Sequence, residues 1–128
     1  MLSIGIKGSR KVMVDDSNTA EALGSGTLPV FATPAMIALI EATASRSVAP
    51  ELDDGNSTVG THLDIAHSAA SPIGMEVTCE TELVEVDRRR LVFRVSVCDA
   101  KGEVGSGMHE RFVVDDVKFM SKATAKLD

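Results

Sequence analysis

The 128-residue chain has the size of one domain, and 44% hydrophobic with 25% charged residues is an ordinary globular composition. Aromatic residues make up only 3%, without Trp or Tyr, and the formal net charge is −6. Both features argue against a nucleic-acid-binding protein, which needs a cationic surface and usually stacking rings. We therefore expect one domain over residues 1–128 and no nucleic-acid partner.

Neither a membrane segment nor a disulfide framework is expected. No stretch approaches the length of a membrane span, and residues 1–10 lack the apolar block of a signal peptide. The two cysteines, Cys79 and Cys98, are too few for a disulfide scaffold and lack partners at metal-ligand spacing. These observations predict a cytoplasmic protein with free thiols, no bound metal and no membrane association.

The first half of the chain is predicted to hold one short strand and one helix. Alternating apolar and polar residues predict a strand over residues 11–15, whereas the Ser-, Gly- and Thr-rich segment 17–28 is predicted to be irregular. Thr33 is a good N-cap and Pro34 suits the first helical position. The helix should end near Ala49. Its apolar stripe consists of Met36, Ile37, Ile40 and Ala44.

Long antiparallel strands are predicted for the second half. They cover residues 58–67, 75–83, 91–97 and 103–115, with a turn or bulge at 68–74 and turns at 87–90 and 99–102. The segment from residue 118 onward is predicted to be either a short extension or a frayed end. In the first of these strands one face is predicted to carry Val59, Thr61, Leu63, Ile65 and His67.

The predicted order of elements indicates an α+β fold in which a long antiparallel sheet wraps around one central helix, the hot-dog fold. A single sheet has one face that needs cover, and one helix of about 15 residues supplies it. The exposed sheet edges predict a homodimer, and a dimer of dimers remains open.

Two ionisable side chains are predicted to lie between the helix and the sheet. Glu41 borders the helix's apolar stripe, so it either reaches water or acts as a general base or nucleophile whose pKa burial raises. His67 shares its predicted face with Leu63 and Ile65. It is either a core histidine bonded to backbone or the partner of Glu41 in a carboxylate–imidazole pair.

Thr33 has a structural and a chemical interpretation at the same place. It is either a plain N-cap or a nucleophile or donor beside helix amides that suit an oxyanion. In one straight helix, eight positions separate Thr33 from Glu41 by about 12 Å. One compact site then requires a bend or a residue from a second chain, which predicts a pocket at the dimer interface. A Thr33–His67 separation beyond roughly 8 Å, within and between chains, would exclude Thr33.

Basic residues of the second half are candidates for binding an anion. Arg111 shares a strand face with His109, and that strand begins with a Gly-Ser-Gly segment that suggests close approach of another backbone or a ligand. Arg111 either pairs with a carboxylate or phosphate of a ligand or forms a structural ion pair. The three arginines at 88–90 are either a solvated turn or contacts for phosphates.

Four segments together resemble the fluoroacetyl-CoA thioesterase family of hot-dog proteins, over about two-thirds of the chain. They are FATPAMIALIEATA (31–44), STVGTHLDIAHSAASPIG (57–74), RRLVFRVSVCD (89–99) and GEVGSGMHERFVV (102–114). The resemblance implies a catalytic set of Thr33, Glu41 and His67, and substrate contacts at Gly60 and Arg111. It also implies hydrolysis of a short acyl-CoA thioester without a metal or organic cofactor.

Two other functions remain as alternatives. One is a hot-dog hydratase or dehydratase, although the Asp-x-x-x-x-His pattern of such enzymes is absent from this chain. The other is a non-catalytic acyl-CoA-binding dimer module, because a fold does not determine a function. The phenylalanines that gate the pocket of the fluoroacetyl-CoA enzyme are also missing from residues 26–30, where only Phe31 is close by.

Overall fold

The computed structural model describes all 128 residues, which form five strands and three helices. In chain order these are β1 (Lys7–Met13), α1 (Ala20–Leu23), α2 (Thr33–Val48), β2 (Asn56–His67), β3 (Glu76–Asp87), β4 (Arg90–Asp99), β5 (Gly102–Asp115) and α3 (Asp116–Thr124). Short 3-10 turns follow α2 and α3, at Ala49–Glu51 and Ala125–Leu127.

The strands make one antiparallel sheet in the order β1-β3-β4-β5-β2, with the long helix α2 packed on one face. This is the predicted hot-dog arrangement, in which β1 and β2 are the two free edges. The helix buries a stripe that repeats every four residues, Met36, Ile40, Ala44 and Val48. These side chains pack on inward residues of β3 and β4, chiefly Val77, Leu83, Leu91 and Phe93.

The start of α2 differs from the sequence prediction in a way that affects Thr33. Ala32 occupies the N-cap and makes no side-chain capping bond, while Thr33 is already the first helical residue. The predicted N-cap role of Thr33 is therefore wrong, and Pro34 takes the second helical position. A proline in the first turn costs no hydrogen bond, because those N–H groups have no partner within the helix. The hydroxyl of Thr33 is left available for another partner.

A bulge in β2 changes which of its residues face α2. The pairing with β5 shifts between Gly60 and His62, because one extra residue stands on the β2 side. The helix side of β2 therefore carries Thr58 and Gly60 before the bulge and Leu63, Ile65 and His67 after it. Val59 and Thr61 face the opposite side, which contradicts their predicted inward position, since strict alternation assumes an uninterrupted strand.

Smaller differences from the prediction lie at the two ends of the chain. The first strand begins earlier than expected, at Lys7, and the segment expected to be irregular contains α1, whose N-cap Thr19 accepts a bond from the Ala22 N–H. The C-terminal segment is a nine-residue helix capped by Asp115. Both cysteines are free thiols. None of the helices combines the length and apolar character needed to cross a bilayer.

Candidate active site

Thr33 and His67 meet where α2 begins and β2 ends. The Thr33 hydroxyl oxygen, Oγ1, lies 2.7 Å from His67 Nδ1. The contact forms within one protomer, although 34 residues separate the two in sequence. The distance is well inside the roughly 8 Å that would have excluded Thr33 from chemistry with this imidazole.

Backbone hydrogen bonds fix the chain just before Thr33. The Phe31 N–H donates to the Ser71 carbonyl at 2.8 Å, and the Ala32 N–H donates to the Asn18 carbonyl at 2.9 Å. Ser71 is itself held by its hydroxyl, which donates to Asp99 at 2.7 Å. Because two separate segments hold this stretch, and a third holds Ser71, the first residue of α2 has a defined position against His67.

The other ring nitrogen of His67 has no partner within the protomer. His67 Nε2 is shielded from solvent and makes no hydrogen bond. Burial lowers the pKa of His67, and a weaker backbone interaction with Ala69 acts in the opposite direction. The ring is therefore expected to be neutral near pH 7. In either tautomer a buried ring nitrogen needs a hydrogen-bond partner, and no group of this chain supplies one to Nε2.

A cleft of about 290 Å³ opens beside Thr33 and His67. At its edge is the N-terminus of α2, where the amides of Thr33 and Ala35 have no backbone acceptor. Such free amides favour a negative charge, because they lie at the positive end of the helix dipole. The other lining residues are small or apolar: Ala20, Ser25, Val30, Phe31, Ser68, Ala69 and Ala70.

A second polar cluster surrounds the buried guanidinium of Arg111. Its Nε–H donates to the Thr58 hydroxyl at 2.8 Å, and one NH2 group donates to the Thr58 carbonyl at 2.8 Å. The other NH2 group lies 3.2 Å from His109 Nε2 and 3.4 Å from Glu41 Oε2. Arg111 thus forms the ion pair predicted as one of its two possible roles.

His109 is a neutral acceptor in this cluster. Its Nδ1–H donates to the His62 carbonyl at 2.9 Å, which leaves Nε2 bare to accept from Arg111. Burial lowers the pKa of His109, and the Arg111 charge lowers it further, whereas the His62 carbonyl and Glu41 act in the other direction. Burial also lowers the pKa of Arg111 from its ordinary value, with Glu41 opposing the change.

Gly60 leaves room for the Glu41 carboxylate. A Cβ at position 60 would lie inside contact distance of Glu41 Oε2 and only 3.3 Å from the Arg111 guanidinium. The predicted substrate-contact residues Gly60 and Arg111 therefore belong to one cluster with Glu41, at the bulge of β2.

Within one protomer the two clusters are separate. Glu41 is bonded to Arg111 and not to His67, so the pairing expected from the sequence is not formed inside one chain. Gly60, beside Glu41, and His67 are seven positions apart along β2, which is on the order of 20 Å. The structure thus brings Thr33 to His67, and brings Glu41 to Gly60 and Arg111.

The sequence analysis missed the two bonds that Thr58 makes to Arg111. Strict alternation placed Thr58 on the outer face, and the bulge reverses this assignment.

No three His, Cys, Asp or Glu side chains lie close enough together to bind a metal ion. Burial raises the pKa of the Cys79 thiol to about 11, so this buried cysteine is not a reactive nucleophile.

Comparison with known proteins assigns the family. Residues 14–117 match the model of the family described as fluoroacetyl-CoA-specific thioesterase. The chain belongs to this family. It is therefore a thioesterase, that is, a hydrolase of thioesters. The curated fluoroacetyl-CoA thioesterase of Streptantibioticus cattleyicolor is 44% identical over 97 residues, which are 76% of this chain and 70% of that protein.

Solved structures support the same fold. A crystal structure of the fluoroacetyl-CoA thioesterase FlK is 36% identical, with a TM-score of 0.92 and 98% of each chain covered. A thioesterase superfamily member from Thermus thermophilus is 22% identical, with a TM-score of 0.88, and the match covers 96% of this chain and 91% of that one. The second comparison bears on the fold alone. The predicted family and the hot-dog fold are both confirmed.

Proposed function

We propose that this thioesterase hydrolyses short-chain acyl-CoA thioesters at the Thr33–His67 cleft. The 2.7 Å contact between Thr33 Oγ1 and His67 Nδ1, beside free helix amides, is the observation that carries the proposal. The small cleft favours a short acyl group. Solved structures of FlK variants, which are 34–36% identical to this chain, include a complex with acetyl-CoA and a complex with fluoroacetate and CoA.

His67 acts as the general base in this proposal. Its lowered pKa keeps the imidazole neutral and able to accept a proton near neutral pH. The proton comes from the attacking hydroxyl group, which is Thr33 itself or a water molecule held by Thr33. Attack on the thioester carbonyl gives an oxyanion that the amides of Thr33 and Ala35 stabilise. The carbon–sulfur bond then breaks, and the CoA sulfur leaves with the proton that His67 had accepted. Where Thr33 is the nucleophile, a water molecule that gives its proton to His67 then hydrolyses the acyl ester; where water attacks directly, its oxygen is already that of the acid product.

We propose that Glu41 completes the site across a homodimer interface. The strand β2 is a free sheet edge, and two such edges pair around a two-fold axis. An axis near Leu63 and Asp64, midway between Gly60 and His67, would bring the Glu41 end of one protomer next to His67 of the other. Glu41 of the partner subunit would then accept the hydrogen bond that His67 Nε2 lacks.

The geometry of the second cluster supports this role for Glu41. Only one carboxylate oxygen of Glu41 contacts Arg111, and its side chain is 40% exposed, so the other oxygen is accessible. In this proposal Arg111 orients Glu41, and Gly60 and Arg111 contact the substrate near the interface. The site uses no metal or organic cofactor, and we propose a cytoplasmic location, where acyl-CoA thioesters are metabolised. A dimer of dimers is compatible with this arrangement.

A thiol-release assay with a panel of short acyl-CoA substrates tests the activity. The wild-type protein should release CoA, and His67→Ala should reduce kcat by about 10²–10⁴-fold, the usual contribution of a general base. Thr33→Ala should also reduce kcat. A hydratase would change the acyl chain without releasing thiol, and a binding module would retain CoA without turnover. Either result would contradict the proposal.

Mixed dimers test the shared site. Glu41→Gln and His67→Ala subunits are each expected to be nearly inactive alone. After random reassociation, about half of the dimers are hybrids with one intact site, so activity should recover to about a quarter of the wild-type level. If Glu41 acts within its own protomer, every hybrid site lacks one residue and no activity returns.

A further inference from the structure

An apolar groove lies on the face of the sheet opposite α2. It has a volume of about 570 Å³ and runs between α3 and the outer side of β2 and β5. This volume is within the range of small-molecule sites, and the groove does not include any residue of the Thr33–His67 cleft. Its lining residues are Val59, Thr61, Phe112, Val114, Phe119, Lys122, Ala123 and Lys126.

The helix α3 shows an unusual distribution of charge toward this groove. A surface helix normally turns its apolar residues to the protein and its lysines to water. Here Lys122 and Lys126 line the groove together with Phe119, whereas Val117 is 77% exposed and Met120 is 57% exposed. Two cationic side chains therefore border an apolar floor, with their stems available to cover it and their charges at its rim.

These two lysines have no counter-ion in the protein. Neither takes part in a salt bridge, although the chain carries an excess of acidic residues. Lys122 lies in α3 and Lys126 in the 3-10 turn that follows it, and both line the same groove, so their like charges repel each other. The acidic residue of α3 nearest its start, Asp116, is already bonded to the Ser57 hydroxyl. An anion placed between the two ammonium groups would relieve this repulsion.

We propose that this groove binds an aliphatic monocarboxylate. The carboxylate lies against Lys122 and Lys126, and the hydrocarbon chain covers Val59, Phe112, Val114 and Phe119. The apolar wall supplies burial of the chain, and charge-assisted hydrogen bonds to the two ammonium groups fix the head. Because the groove and the catalytic cleft lie on opposite faces of the sheet, the ligand does not compete with the thioester.

Calorimetric titration with decanoate, below its micelle concentration, tests the site. The wild-type protein should bind one decanoate per protomer, and the Lys122→Gln/Lys126→Gln variant should bind at least about tenfold more weakly, since each tenfold corresponds to about 1.4 kcal/mol. The control is Lys7→Gln/Lys11→Gln, which removes the same charge from β1, outside the groove. Decanol and acetate, which lack the charge and the chain respectively, should both bind poorly.

Several results would overturn the proposal. Equal affinity in the two double variants, or equal affinity for decanol, would show that the lysines do not recognise a carboxylate. If Thr33→Ala loses decanoate binding and the lysine variant retains it, decanoate binds in the Thr33–His67 cleft and not in the groove. No saturable binding, with a changed sedimentation coefficient in Lys122→Gln/Lys126→Gln, would assign the groove to a second copy of the chain. Thermal unfolding of each variant checks that it is folded.

Discussion

The guanidinium of Arg111 shows how individual side chains support one another in this site. A buried cation is costly unless hydrogen-bond acceptors surround it. Thr58 supplies two, His109 supplies one because its ring is neutral, and Glu41 supplies the only carboxylate. The charge of Arg111 therefore holds Glu41 in place at the bulge, where it is needed for the proposed contact with His67 of the partner subunit.

Gly60→Ala tests whether the position of Glu41 matters for catalysis. The added methyl group would overlap the Glu41 carboxylate, which is the end of a flexible side chain and can move aside. We expect kcat/KM to fall by about tenfold, since misplacing a catalytic group by about 1 Å costs a factor of this size or more. Thermal unfolding should change little. An unchanged kcat/KM would show that Glu41 does not need this position.

The pH dependence of the rate tests the contact between Glu41 and His67. Burial alone lowers the pKa of His67, and a nearby carboxylate raises it because a negative charge stabilises the imidazolium. The acidic limb of kcat/KM should therefore move to lower pH in Glu41→Gln, by about one unit. Glu103→Gln, at an exposed position, is the control and should leave the limb unchanged. If the acidic limb of kcat/KM lies at the same pH in the wild-type protein and in both variants, the contact between Glu41 and His67 is contradicted.

At the scale of elements, the helix α2 connects the hydrophobic core with the candidate active site. Its buried stripe anchors the helix on the sheet. Thr33 is its first residue, and Glu41 follows about two turns later at the edge of the stripe. The bulge in β2 has a comparable role, because it turns Gly60 and His67 to the same side of a strand despite their odd spacing. Both polar clusters thus depend on how these two elements are placed.

Ile40→Ala tests the anchoring of α2. Ile40 is completely buried, so its truncation removes apolar contacts and leaves a cavity, and we expect a loss of about 2–5 kcal/mol in unfolding free energy. Ile37 is only partly buried against the core, and Ile37→Ala should cost less. Chemical denaturation measures both. Equal losses would indicate that the helix is not held by the stripe that faces the sheet.

At the scale of the whole molecule, the unpaired edge of β2 determines the assembly we expect. The pairing of two β2 edges would satisfy their exposed backbone groups and bring the Glu41 cluster of one protomer next to His67 of the other. The opposite edge, β1, carries none of the proposed site residues, so a substitution in β1 serves as the control for one in β2.

Leu63→Lys tests assembly through β2. Leu63 is 39% exposed near the centre of the edge, and a lysine there would face its symmetry copy as a like charge. Dimer affinity should fall by at least about tenfold, equivalent to about 1.4 kcal/mol. Activity should fall with it and recover at high protein concentration. Met13→Lys, on β1 at 49% exposure, should leave sedimentation and activity unchanged; an equal effect of both variants would contradict assembly through β2.

The sequence alone determined the main elements and indicated the family. Hydrophobic periodicity is local, so it predicted the single long helix, the long strands after it and most of the stripe that faces the sheet. The predicted stripe included Ile37, which is only partly buried, and lacked the buried Val48. The order of Thr33, Glu41, His67 and the segment around Arg111 was enough to indicate the thioesterase family. Composition and charge also argued against a nucleic-acid-binding protein.

Only the tertiary structure decided which side chains meet. The bulge at Gly60 depends on pairing with β5, and it reversed the faces predicted for Thr58 and Val59. Thr33 was expected to cap a helix, yet its hydroxyl bonds to His67, because distant segments fix where α2 begins. Within one chain Glu41 pairs with Arg111, and the contact with His67 expected from the sequence stays a prediction for the dimer. Such contacts join residues far apart in sequence, and no local pattern carries information about their distance.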